Sequence, residues 1–109
     1  MSPLPVGALR HRVRLERSER LADGGGGAVV TWAPVCELWA SIKPSSGTES
    51  VVADQIAGRV SHEIHVRFRA DISPAMRFSL GTRTFEILAV LDVEERRRQL
   101  RCLCREELL

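Results

Sequence analysis

A chain of 109 residues with sixteen Lys and Arg against fourteen Asp and Glu, net charge +2, has room for one core, and a single site or surface must carry its function. So balanced a charge speaks against a protein held to its partner mainly by phosphate contacts, and no apolar run approaches the roughly 18 to 20 residues of a membrane-spanning helix. Five aromatic residues, Trp32, Trp39, Phe68, Phe78 and Phe85, with no tyrosine, are a poor stacking platform for single-stranded nucleic acid.

In the opening MSPLPVGALRHR the basic residues follow the weakly apolar part, the reverse of a secretory signal, so a cytoplasmic location is expected. Val13 and Leu15 then alternate with Arg10, Arg12, Arg14 and Glu16, which predicts a first strand with one apolar face and one arginine-lined face. Leu21, Ala22, Asp23 and the glycines 24 to 27 read as a flexible hairpin turn, since glycine accepts either sign of φ. A long second strand follows in two parts, Val29 to Trp32 and Val35 to Lys43. Pro34 between them can donate no ladder hydrogen bond, which suggests an edge or a bulge.

Ser46-Gly47-Thr48-Glu49 has the pattern of a capping box, and a short helix is expected from there to Gly58, with Val52 and Ile56 as its apolar stripe. Ile64, Val66 and Phe68 alternate with Glu63, His65, Arg67 and Arg69 in the clearest strand of the chain. After a turn at Asp71 to Pro74 come Met76 to Leu80, a Gly81-Thr82 turn, and Thr84 to Leu91 with Phe85, Ile87, Ala89 and Leu91 expected on one side. A charged turn, Asp92 to Arg98, leads to the last strand, Gln99 to Glu106. The fold class is therefore mainly β: a small antiparallel β-barrel or sandwich of about six strands with one short helix.

The chemistry-bearing residues do not converge. The glycine run lacks the Gly-Lys-Ser/Thr of a phosphate loop, and Asp23, Asp54 and Asp92 are scattered. Cys36, Cys102 and Cys104 cannot all pair, and Cys102-x-Cys104 lacks the spacing with which two thiolates grip zinc, so packed thiols are expected. His62 and His65 fall on opposite faces of one strand, unable to share a metal, and are expected at the surface. Glu94-Glu95-Arg96-Arg97-Arg98 reads as a solvated turn or a DNA-contacting loop. Arg10, Arg12 and Arg14 project together along about 13 Å of strand, and suit an acidic partner, a DNA-facing lumen or a charged sheet edge. Fifteen of the sixteen cations are arginine, which favours protein contacts, although genome base composition explains the bias equally well.

Leu9-Arg10-His11-Arg12-Val13, Trp32, Leu38-Trp39-Ala40-Ser41-Ile42, Gly47-Thr48-Glu49, Ala53, Gln55, His62 to Arg69, Ile72-Ser73-Pro74, Met76-Arg77, Phe85-Glu86-Ile87 and Leu100-Arg101-Cys102 follow one another in a familiar order. In that order and spacing, over nearly the whole chain, the sequence resembles the phage head-tail joining family, the head closure or stopper proteins of tailed phages, prophages and gene transfer agents. The resemblance implies a β-barrel subunit without enzymatic activity or cofactor. It implies a homo-oligomeric ring, six- or twelve-fold, beneath the portal and adaptor proteins, closing the channel on double-stranded DNA and docking the tail terminator, with no membrane contact. It also implies assembly in the host cytoplasm and a final place in the particle neck. The family's gating loop carries over to Pro44, Ser45, Ser46, Gly47, Thr48 and Glu49 within Pro44 to Val60, or to Gly24, Gly25 and Gly26. Arg10, Arg12 and Arg14 on one side and Glu37, Glu49 and Glu63 on the other are the expected complementary patches of a ring interface, with Arg96, Arg97 and Arg98 facing DNA. The runner-up is a small nucleic-acid-binding barrel of the OB type.

Overall fold

The alternating segments close into a ring of strands. A computed structural model describes residues 9–22, 24–45 and 60–107. In it β1 (His11–Ala22), β2 (Ala28–Pro44), β3 (His62–Arg67), β4 (Arg77–Leu80), β5 (Arg83–Asp92) and β6 (Gln99–Glu107) form a closed antiparallel barrel in the order β1-β2-β3-β6-β5-β4. The closing seam is short: only Arg14 to Glu16 of β1 pair with Arg77 to Ser79 of β4. Among the described residues the one helical element is a 3-10 turn at Val93–Glu95. The helix expected from Ser46 to Gly58 lies outside the described residues.

Every second side chain fills the interior. Val13, Leu15, Ala40, Ile64, Val66, Phe78, Phe85, Ile87, Leu100, Cys102 and Cys104 form the core, with Ile72 and Met76 closing it from the connecting loop. Phe78 and Phe85 stand directly opposite each other across the β4–β5 pair. The two-residue turn between these strands begins at Gly81, whose φ of +62° is a conformation that L side chains rarely adopt. Cys102 and Cys104 are core thiols: burial pushes Cys102 up to about 12 and Cys104 well above its ordinary value, so neither is a nucleophile at neutral pH.

Two bulges shape the barrel. Leu15 pairs with Cys36 and Glu16 with Pro34, so Val35 is an extra residue beside the proline, the irregularity that Pro34 announces. A second bulge, at Leu88, corrects the expectation for β5. Ile87 pairs with Cys104 but Ala89 with Leu103, so the alternation reverses: Val90, opposite Cys102, packs on the core, and Ala89 and Leu91 do not continue the face of Phe85 and Ile87.

The first hairpin is also longer than its pattern suggests. Leu21 and Ala22, read as turn, belong to β1, and the connection shrinks to residues 23–27 with Gly24 and Gly26 at φ +83° and +88°. Among the described residues, β1 has no partner but β2 beyond Glu16, and β2 pairs with β3 only from Ala40 onward. The distal half of the hairpin is thus a two-stranded arm projecting from the barrel, consistent with overall dimensions of 50 × 30 × 26 Å.

Candidate functional site

The arm and the loop from Asp92 to Gln99 leave the barrel at the same end, because β1 exits there at Glu16 and β6 enters there at Gln99. The root of the arm is clamped. Arg77 Nε donates to Glu16 Oε1 at 2.7 Å, and its guanidinium lies 4.2 Å from the centroid of the Trp32 ring. Glu16, Arg77 and Trp32 come from three strands, and the carboxylate is almost completely enclosed. Arg14 approaches the other carboxylate oxygen at 3.8 Å.

Most outward arginines of the barrel are paired. Arg12 meets Glu37 at 3.0 Å, Arg101 meets Glu63 at 2.6 Å, Arg83 meets Glu106 at 2.8 Å and Arg105 meets Glu86 at 2.9 Å. Glu63 and Glu106 are each held below the usual carboxylate range, above all by the arginine hydrogen bond. The Arg12 pair changes the picture of two opposed patches: Glu37 stands next to the arginine stripe on the same face, and Glu63 is occupied by Arg101. Glu49 lies outside the described residues. An exposed pair such as Arg12–Glu37 contributes little to stability.

At the arm end the balance differs. Arg67, Arg96, Arg97 and Arg98 have no carboxylate within 4 Å among the described residues. They are neighbours, since Arg67 pairs with Gln99 and Phe68 N donates to Arg98 O at 3.0 Å. The loop that carries three of them is conformationally demanding. Glu94, Glu95 and Arg97 have φ of +57°, +55° and +55°, a region costing non-glycine residues about 1 to 2 kcal/mol each. Asp92 offsets part of this by accepting the Arg97 amide with both carboxylate oxygens, at 3.0 and 3.1 Å. Nothing in the charge run itself signals this; the cue is an aspartate at the start of a turn that contains no glycine.

The histidine expectation is corrected. His62 is half-buried at the opposite end of the barrel, edge-on to Phe85 at 5.2 Å between centroids, with Ser61 Oγ 2.9 Å from its Nδ1. His65 faces outward yet is only 5% exposed, beside fully enclosed Leu103. Its pKa is lowered, first by burial and then by Arg101 and Lys43, against an opposing pull from Glu63. A histidine whose folded pKa is lowered binds a proton more readily unfolded, so its contribution is complete above about 6.5 and falls away as pH drops below that. The denaturation midpoint of the wild type should therefore decline as the pH falls below about 6.5, and His65→Gln should reduce that decline, leaving the share of His62, whose pKa burial also lowers. An equal slope in the variant would assign the decline elsewhere. Among the described residues no three His, Cys, Asp or Glu cluster to hold a metal.

Pro44 and Ser45, the described start of the first gating candidate, sit at the end of β2 remote from the arm. Ser45 N donates to Ser61 O at 2.9 Å. Gly24, Gly25 and Gly26 are at the arm tip.

This architecture defines a class: a small closed β-barrel that presents an anchored arm and charged loops at one end. Over residues 4–107 the sequence matches the phage head completion protein family, and the chain belongs to that family. It is similar to a chain from the virion of a native gene transfer agent particle, at 32% identity and TM-score 0.69, over 92% of this chain and 96% of that one. It is similar also to protein SF1141 from Shigella flexneri 2a, at 28% identity and TM-score 0.71, over 94% and 96%. No curated protein matches it.

Proposed function

We propose that this protein is the head-closure component of a phage or gene transfer agent neck: copies form a ring below the portal and adaptor, close the channel behind packaged DNA, and offer the surface on which the tail docks. The observation that carries this reading is the likeness over nearly the full length to a chain of a gene transfer agent virion, joined to membership of the head completion family. In this reading Arg96, Arg97 and Arg98, which have no carboxylate within 4 Å among the described residues, face the DNA. A few arginines per subunit, repeated round a ring, give a shallow, salt-sensitive hold without base recognition. Either the segment from Pro44 to Val60 or the Gly24 to Gly26 tip narrows the channel. The arginine stripe Arg10, Arg12 and Arg14 lies against an adjoining protein.

Deleting the gene and imaging the particles by electron microscopy, with an assay of protected DNA, tests the reading. Filled heads that lose DNA and stand apart from finished tails are expected. Normal tailed particles would overturn the proposal and favour a small nucleic-acid-binding barrel, whose sign would be tight, salt-dependent binding of free oligonucleotide.

A further inference from the structure

We propose that the arm of one copy seats its Leu21/Val29 face in the apolar cavity beside Trp39 of a neighbouring copy, a contact that rests on the ring reading above. Among the described residues the exposed large apolar side chains are Leu21 at 55%, Val29 at 51%, Val30 at 50% and Trp39 at 51%, all on the β1–β2 hairpin. Directly paired residues share a face, so Leu21 and Val29 project together, with Glu19 and Thr31 one rung nearer the barrel. This face continues the interior face of β1, where Val13 and Leu15 pack, but at the tip no barrel surrounds it. The Glu16–Arg77–Trp32 clamp holds the arm at a set angle, so its ordering is prepaid in the free subunit and little is lost on docking.

The receiving surface is a cavity of about 640 Å³ lined by Leu9, Leu38, Trp39, Arg67, Phe68 and Arg69. Its lining joins four apolar side chains to two arginines: Arg69 is held by Asp71 at 2.8 Å, whereas Arg67 has no carboxylate within 4 Å among the described residues. The tip brings Leu21 and Val29 with Glu19 one rung nearer the barrel, its carboxylate 3.3 Å from Arg17 in an exposed pair that a partner's cation can displace at little cost. Tip and cavity cannot meet within one chain. Val29 and Trp39 lie ten residues apart on the continuous strand β2, about 33 Å at the usual strand rise. The contact is therefore between copies and joins two different patches, the head-to-tail geometry that closes into a ring when the rotation permits. It is also small beside the roughly 1,200 Å² of a stable interface, so copies associate where the particle gathers them and not in dilute solution.

The test is cross-linking in purified particles. In a Cys36→Ala background, Val29→Cys and Arg69→Cys are combined and treated with a short bis-maleimide; Cys102 and Cys104, fully enclosed, do not react. A ladder of covalent multimers of this chain is expected, absent from either single variant, and Leu21→Glu should abolish it without changing the melting temperature. Particles that contain the protein but give no ladder would overturn the seating alone. A Val29 cross-link to a different particle protein, or a dimer from Val29→Cys by itself, would do the same. Particles lacking the protein would overturn the head-closure reading and the seating with it.

Discussion

Phe85→Ala should lower the unfolding free energy by about 4 kcal/mol, within the range for emptying a fully enclosed phenylalanine site. Phe85 has no exposed surface and faces Phe78, likewise enclosed, across the β4–β5 pair, so there is no loose neighbour to move into the hole. The His62 ring, packed edge-on against it, loses its partner as well. A domain of this size has about 5 to 15 kcal/mol in all, so the variant would keep a fraction of its stability and melt roughly 15 to 20 °C lower. Urea denaturation of the two proteins reads this directly. A loss below about 1.5 kcal/mol would mean that the barrel contracts round the vacancy, contrary to a wall held in register by hydrogen bonds on both sides of β5.

Arg77→Ala should cost about 3 kcal/mol, because it leaves the Glu16 carboxylate enclosed with only the 3.8 Å approach of Arg14 to compensate it. It also removes the cation from the Trp32 face. Arg77→Lys keeps the charge but neither the planar stack nor the directed hydrogen bond, and should fall between the two. The signature that separates a clamp from generic destabilisation is local. Trypsin should cut Arg77→Ala at Arg17 and Arg20 several-fold faster than wild type in conditions where both remain folded, because the root of the arm no longer holds. Equal cleavage rates would show that the arm keeps its place through the β1–β2 ladder alone.

The most legible strand, His62 to Arg67, places Ile64 and Val66 in the core at every second position, as period-two patterning of a barrel wall predicts, with His65 between them the exception. Pro34 and Gly81 were equally readable, since a missing amide hydrogen and a positive φ are properties of the residue itself. Order and spacing over nearly the whole chain carried the family, which the matched residues 4–107 bear out. The arm was not readable: Arg17 to Arg20 carry no apolar residue, so nothing marks them as a strand, and pairing with β2 alone holds them extended.

By itself, then, the sequence determined the β class, most of the turns and most of the core, which follow from backbone preferences and local periodicity, and the family, which follows from the order and spacing of its motifs. The tertiary structure alone decided the rest. The bulge at Leu88 turns Ala89 and Leu91 from the expected inner face because register is a relation between two strands. His65 is enclosed and its pKa lowered by burial on the barrel, although its place in the alternation is outward. Glu37 is bound by Arg12, and Glu16 by an arginine 61 residues away, because closing the sheet brings β4 against β1. The arginines at the arm end that have no carboxylate in reach among the described residues are likewise a property of the closed barrel: every arginine looks alike in the chain, and only folding determines which ones find a carboxylate.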